Sequence, residues 1–431
     1  MSTLLKSGKE IILPYGEQEI VFRVPEQNLL AILTPQFISV RPDPHAEIRR
    51  AIANPIGMSP LCEAVKNSRK IVIVADDLTR QTPLTLIIPE LLDELNRAGI
   101  HDDQVTILIA LGTHRPMTAD EIEVHFGSVV TDRVIILNHP WHDHAQLADL
   151  GETANGTPVQ ICRTALEADF LIGLGSIVPH HIPGFSGGAK IIQPGISGNS
   201  TTGATHFLST RTRRSYLGLT RNPVRDEMEI IAERVGLKAI FNVVLDPAGS
   251  LVGAFFGDFR LAHQAGMELA RKVFGVSFEN QSDIVIAGSH PCDIEFWQAH
   301  KSLYPADMVV RKNGTIIVVT PCPEGVSKTH QNLLQYTSLN PEKIESLILS
   351  GEIKDIASGA LALAWAKVRQ RARIFLVSDG ISKPEADALG FAKYDSLEDA
   401  LHSALQHHGA NPTINVMPHA PDSLPLQMGC A

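Results

Sequence analysis

The sequence predicts an α/β fold of two domains with mostly parallel sheets and an active site in the cleft between them. Two observations carry this. Continuous apolar runs of strand length alternate with amphipathic helical stretches, the pattern of parallel sheets covered on both faces. Polar clusters also recur directly after several of those runs, at the sheet edge where open α/β proteins bind ligands.

In chain order, residues 1–45 read as short strands and turns (Glu10 to Leu13, Glu19 to Val24) punctuated by Pro35 and Pro42, and residues 46–66 read as helix. Lys70 to Ala75 is the first buried strand and ends at Asp76-Asp77-Leu78-Thr79-Arg80. Pro83 then opens a helix to about Ala98, with Gly99 as its stop. Gln104 to Leu111 is a strand ending at Gly112-Thr113-His114-Arg115, and a helix follows near Ala119 to Phe126. Arg133 to Leu137 and Phe170 to Leu174 add strands, and Pro223 to Val235 reads as a helix. A polar shift near Val276 to Ser282 places the domain boundary, giving 1–278 and 279–408, with the tail 409–431 either loose or packed back on the first domain. Asp283 to Ala287, Thr315 to Thr320 and Ile374 to Val377 supply a second sheet, with Leu361 to Arg371 as a helix between.

With 431 residues, the chain can bury a sizeable core. A net charge of −10 without a basic stripe excludes a nucleic-acid partner, and no apolar run is long enough to span a membrane. Cys62, Cys162, Cys292, Cys322 and Cys430 show no paired spacing, which suits reduced thiols in a cytoplasm and offers no thiolate metal site.

The stretch Ser176 to Lys190 concentrates reactive groups. Pro179 and Pro183 stiffen it, Gly184, Gly187 and Gly188 permit close approach of a ligand, and His180, His181 and Lys190 titrate or react. His114 and His180 suit general acid/base work, and both also suit ordinary structural roles; spacing leaves His181 open as the functional neighbour. Gly184 to Ile191 is not a P-loop, because Ala189 and Ile191 occupy the glycine and Ser/Thr positions. Lys190, followed by two isoleucines, can be a nucleophile of lowered pKa or a phosphate-pairing lysine. Gly184-Phe185-Ser186-Gly187-Gly188 spells the nucleophile elbow, but the prolines interrupt the strand such an elbow needs. Asp77 and Arg80 suit helix capping, or a grip on ribose hydroxyls and an anion. His206 has no second ligand at metal spacing. Gln298 and Lys301 share a helix face, and Trp297 suits core or contact equally.

Together, Asp77-Leu78-Thr79-Arg80, Gly112-Thr113-His114-Arg115, His180 through Gly195, His206, and Trp297-Gln298 with Lys301 resemble the lactate racemase family, whose enzymes depend on a nickel-pincer nucleotide. The resemblance implies a pyridinium-3,5-bisthiocarboxylic acid mononucleotide tethered as a thioamide at Lys190, with nickel ligated by His206. It implies a cofactor cradle of Asp77, Leu78, Thr79 and Arg80, and an acid/base pair of His114 and His180, one per face of the substrate. Arg80, Gln298 and Lys301 would hold a small anionic 2-hydroxy acid, and cofactor-making enzymes would be partners. Trp365 is matched to a family tryptophan near the cofactor. The implied reaction is racemisation or epimerisation at carbon 2. A histidine takes the hydroxyl proton, hydride leaves to the cofactor, and a 2-oxo acid takes hydride back on its other face. The family's lactate enzymes carry a tyrosine before the glutamine; Trp297 stands here, a bulkier group that puts lactate itself in question. Lactate, malate, aromatic lactates and sugar acids all remain open. Two rivals stand beside this reading: a non-catalytic nickel or nucleotide carrier on the same fold, and a serine hydrolase using Ser186.

Overall fold

The computed structural model describes residues 8–35, 41–409 and 411–428; Cys430 and the first seven residues lie outside the described residues. Two six-stranded sheets form its frame. The first runs, edge to edge, 251–258, 237–245, 170–176, 71–76, 105–110 and 135–138. It is parallel except for the 251–258 edge strand. The second runs 392–394, 373–377, 310–319, 282–288, 414–417 and 29–32, and is parallel throughout.

Strand Ile71–Asp76 shows why an unbroken apolar run is needed. Val72 and Val74 enter one core while Ile71, Ile73 and Ala75 enter another on the opposite face, all fully buried. The following helix, Leu84–Arg97, buries Ile87, Ile88, Leu91, Leu92 and Leu95, a single stripe, against that second core. Each such side chain contributes about 1.5–3 kcal/mol of transfer free energy. Helices Ala119–Phe126 and Pro223–Val235 fall where the sequence places them, held respectively by a Thr118–Glu121 capping box and by the Asn222 side chain. The first core continues from Val72 through Val224 to Val318, Leu361 and Trp365, so both sheets share it.

Three expectations are corrected. Residues 46–66 are not one helix but Pro44–Ala53 and Leu61–Ala64, because Pro55 and Gly57 intervene. Gly57 has φ +71°, and a Cβ there would fall 2.5 Å from Leu261. The polar stretch near 276–282 contains strand Gly275–Phe278, which pairs with Leu424–Gln427. The tail therefore does not simply return to the first unit: Ile414–Met417, wholly buried, inserts into the second sheet between 282–288 and 29–32. Residues 29–32 and 414–417, far apart in the chain, thus join the same sheet.

Candidate active site

Four polar segments converge beyond the C-terminal ends of the first sheet's strands. After Ile71–Asp76, the turn Asp77–Arg80 is fixed by its own side chain: Thr79 N–H and Oγ1 donate to Asp77 Oδ1 at 3.1 and 2.5 Å, and Arg80 N–H donates to the Asp77 carbonyl. After Val105–Ala110, Gly112 at φ +58° donates to the Gly195 carbonyl at 2.8 Å, joining the loop of His114 to the loop after Lys190. After Phe170–Ser176 comes the glycine-rich loop carrying His180 and Lys190. The second unit contributes the turns Phe296–Ala299 and His300–Ser302.

The space enclosed has two chambers. The inner one, about 90 Å³, is lined by Asp77, His114, His180, Lys190, His206 and Trp297 among others. The outer one is about 700 Å³ and includes Leu78 and Thr79. Arg80, His180, Gln298 and Lys301 line both. Each sequence-derived site residue therefore lines one or both chambers.

A polar relay runs through its centre. The His114 ring donates from Nδ1 to Asp77 Oδ2 at 2.6 Å, and its Nε2 accepts from Gln298 Nε2 at 2.8 Å. Gln298 Oε1 in turn accepts from the Lys301 ammonium. Burial alone would raise Asp77, but the His114 ring and Arg80 outweigh it and hold the carboxyl well below its usual range. Asp77 is thus a fixed anion that sets the His114 tautomer, leaving Nε2 as the proton acceptor. His180 differs. Its Nδ1 accepts from the Ile182 N–H at 3.2 Å, and burial, then Lys190 and His181, push its pKa well below that of free imidazole. His181 is wedged between the Tyr304 ring, stacked at 4.0 Å, and the His180 ring at 4.7 Å, with neither nitrogen hydrogen-bonded.

Lys190 lies in the short turn Gly188–Ile191. Burial, then Arg80 and Lys301, drive its pKa well below that of an ordinary lysine, which makes the amine a nucleophile rather than a surface cation. The loop around it is clamped by three residues that sequence reading passed over. Arg225, 1% exposed, donates to the Gly187 carbonyl at 3.1 Å and to the Phe185 carbonyl. Asn242 Oδ1 accepts from the Gly188 N–H at 2.8 Å, and His263 Nε2 donates to the Ser186 carbonyl at 2.8 Å. These residues come from a distant helix, a neighbouring strand and another helix, so no local motif announces them. Gly188, at φ +57°, is needed because a Cβ would lie 2.7 Å from the His263 ring. Arg225→Met should leave the buried Phe185 carbonyl and the partly buried Gly187 carbonyl without this donor, at about 1–3 kcal/mol for the buried one. A lower urea midpoint, read by circular dichroism, is the expected result; an unchanged midpoint would show that the clamp contributes nothing.

Ser186 is not a nucleophile. Its Oγ accepts from the Val178 N–H and donates to the Ser176 carbonyl, both at 2.8 Å, while His263 reaches its carbonyl rather than its hydroxyl.

His206, on helix Asn199–Ser209, donates from Nδ1 to the Thr202 carbonyl at 2.8 Å, which leaves Nε2 as a ligand; burial lowers its pKa to about 4. Among the described residues no three His, Cys, Asp or Glu side chains converge as a metal site. A metal here would need most of its donors from an organic partner, and a free amine nearby could tether one. The residues fit a metal-bearing cofactor of that kind. Trp297 packs flat on the His330 ring at 3.8 Å, and His330 is held by Thr113 and Asp355. Trp365 lies deeper, edge-on to Phe296 and tilted to His300.

Residues 15–218 match the family model for the lactate racemase N-terminal domain and residues 278–422 that for the lactate racemase C-terminal domain. The chain belongs to the lactate racemase family. Lactate racemase of Thermoanaerobacterium thermosaccharolyticum is 29% identical over 416 residues, covering 95% of this chain and 97% of that protein. That of Lactiplantibacillus plantarum is 28% identical over 417 residues, with the same coverage of 95% and 97%. The solved lactate racemase apoprotein from T. thermosaccharolyticum superposes with a TM-score of 0.88 at 27% identity, covering 97% of this chain and all of that one. A Thermotoga maritima structure at 19% identity and TM-score 0.71, covering 91% of this chain, shares the fold. This lactate racemase family member is accordingly an isomerase, and no helix among its described residues is long and apolar enough to cross a membrane.

Proposed function

We propose that this protein is a cytoplasmic racemase or epimerase that inverts carbon 2 of a 2-hydroxy carboxylic acid through a 2-oxo acid. It would act with a nickel-pincer nucleotide supplied by cofactor-making enzymes. The supporting observation is the shared chamber: Lys190, His206, His114 and His180 all line it. Lys190 would tether the nucleotide and His206 would ligate its nickel, with Asp77, Leu78, Thr79 and Arg80 as its cradle. The two domains proposed from the sequence, 1–278 and 279–408, would close on this cleft. When bound, the cofactor supplies an acceptor that takes hydride from carbon 2 and returns it.

The protein's own part is binding and proton handling. Lys301 and Arg80 hold the substrate carboxylate, with Gln298 beside them. The substrate hydroxyl replaces the Gln298 amide as the donor to His114 Nε2, and that nitrogen takes the hydroxyl proton. The Asp77 carboxylate offsets the positive charge formed. Departure of the carbon 2 hydrogen with both electrons, the chemistry the bound cofactor would supply, would avoid a carbanion beside the carboxylate. On the opposite face His180 would return the hydroxyl proton as an imidazolium, and His114 would release to solvent the proton it took; in the reverse direction the roles would exchange.

Polarimetry on cofactor-loaded protein with single-enantiomer 2-hydroxy acids tests the proposal: loss of rotation without net oxidation is expected. Loaded protein that changes no acid would favour the carrier reading. A pH effect follows from the anchor. Burial lowers Lys301 to about 8, and the ammonium binds the carboxylate only below that value. The kcat/KM should therefore hold level to about pH 8 and then fall about tenfold per unit. A flat profile to pH 10 would remove Lys301 from this role.

A further inference from the structure

The Gln298–His114 hydrogen bond, 2.8 Å long, joins segments 184 residues apart in the chain. The residue before each partner is held by the same imidazole. Thr113 Oγ1 lies 3.1 Å from His330 Nε2, and the Trp297 indole lies flat on the His330 ring, with centroids 3.8 Å apart and planes 15° apart. His330 is 3% exposed and belongs to neither segment; it lies in the loop that follows strand Val310–Val319. Asp355 sets its tautomer. Burial would raise that carboxyl, but the His330 ring and then Ser358 outweigh it and hold Asp355 below its usual range. The carboxylate therefore accepts from Nδ1, which leaves Nε2 to accept from the Thr113 hydroxyl. Asp355 is itself anchored: it caps helix Ile356–Arg369, whose Ile356 packs against Gly203 of the His206 helix.

Backbone bonds extend this hold to the two reacting partners. His114 N–H donates to the Leu111 carbonyl at 2.9 Å, so Thr113 sits inside the tight turn that presents the His114 ring. On the other side, the Phe296 and Trp297 N–H groups donate to the Gly325 and Val326 carbonyls, both at 2.9 Å, and the Lys328 N–H donates to the Glu295 carboxylate at 3.0 Å. The loop that ends at His330 thus carries the turn of Gln298 by its backbone and the turn of His114 by one side chain.

We infer that His330 is a positioning residue: by bridging Thr113 and Trp297 it sets the distance between the Gln298 amide and His114 Nε2. His330 lines neither chamber, so it acts through its neighbours and not on a bound molecule. Its kinetic effect rests on the function proposed above, in which His114 Nε2 takes the substrate hydroxyl proton. Lys301 and Arg80, which hold the carboxylate there, are untouched by this bridge. Losing it therefore slows the proton transfer and leaves binding nearly as it was.

Nitrogen NMR of the cofactor-free protein, labelled at histidine, gives a readout independent of turnover, with the His114 signal assigned by its loss in His114→Asn. In wild type His114 Nε2 should resonate as a hydrogen-bonded acceptor. Thr113→Val removes only the hydroxyl, and His330→Phe keeps a ring on Trp297 while removing both of its hydrogen bonds. Each should move the His114 Nε2 signal toward that of an unbonded acceptor, whereas Thr113→Ser should leave it in place. In loaded protein His330→Phe should lower kcat about 10- to 100-fold and Thr113→Val about 3- to 10-fold, with KM within about twofold in both. Thr113→Val is close to threonine in shape and decides the matter should His330→Phe fold poorly. An unmoved His114 signal in both variants would overturn the inference, as would a raised KM with kcat unchanged, or Thr113→Ser as impaired as Thr113→Val. If loaded wild-type protein inverts no acid, the racemase reading falls, and the His114 signal still decides the role of His330.

Discussion

Lys190→Ala should abolish the cofactor adduct in intact-protein mass spectra and reduce inversion to background, a loss of more than about a millionfold. The lysine is the only tether proposed, and its surroundings explain why it can serve. Burial and the neighbouring Arg80 and Lys301 disfavour its charged form, so the neutral amine would be available to form the proposed thioamide tether. A surface lysine would carry its proton and react slowly. Lys190→Arg should fail equally, because a guanidinium keeps its charge. An adduct of unchanged mass in the alanine variant would place the tether elsewhere and remove the reason for reading the inner chamber as a cofactor site.

The second large effect concerns the two imidazoles. His114→Asn and His180→Asn should each lower inversion by about 10²–10⁴-fold while leaving the Lys190 adduct in place. Inversion needs a proton taken on one face and given on the other, so the double variant should be little worse than the poorer single one. Asp77→Asn should follow His114→Asn in direction, because the amide no longer fixes Nδ1 as the donor and His114 Nε2 loses its role. If either histidine variant keeps full activity, its ring is structural and His181, packed against His180, becomes the next candidate.

Much of this was legible because local rules and global packing agree. The run Lys70 to Ala75 needs no context to be a buried parallel strand, and polar clusters after such strands share an edge whatever their spacing. That rule brings Asp77, His114 and His180 together without any knowledge of the second unit. What escaped was long-range. The Arg225–Asn242–His263 clamp is assembled from three elements whose sequences look like ordinary helix and strand. Strand Leu29–Ile32 is short and half-exposed, and only pairing with Ile414–Met417 makes it part of the second sheet. His330 sits in a loop that no motif marks, and its partners Thr113 and Asp355 appear only once the chain is folded. Pro55 and Gly57, by contrast, were in plain view, and their interruption of the helix over 46–66 is a local signal outweighed by the apolar pattern around it.

The most direct test follows the hydrogen on carbon 2. A single-enantiomer substrate deuterated at that carbon should racemise in ordinary water with the deuterium retained, because hydride leaves and returns without meeting solvent while only the hydroxyl proton passes through histidine. Replacement of the label by solvent hydrogen at the rate of inversion would mean that carbon 2 is deprotonated instead, and would contradict hydride transfer between two imidazole-guarded faces.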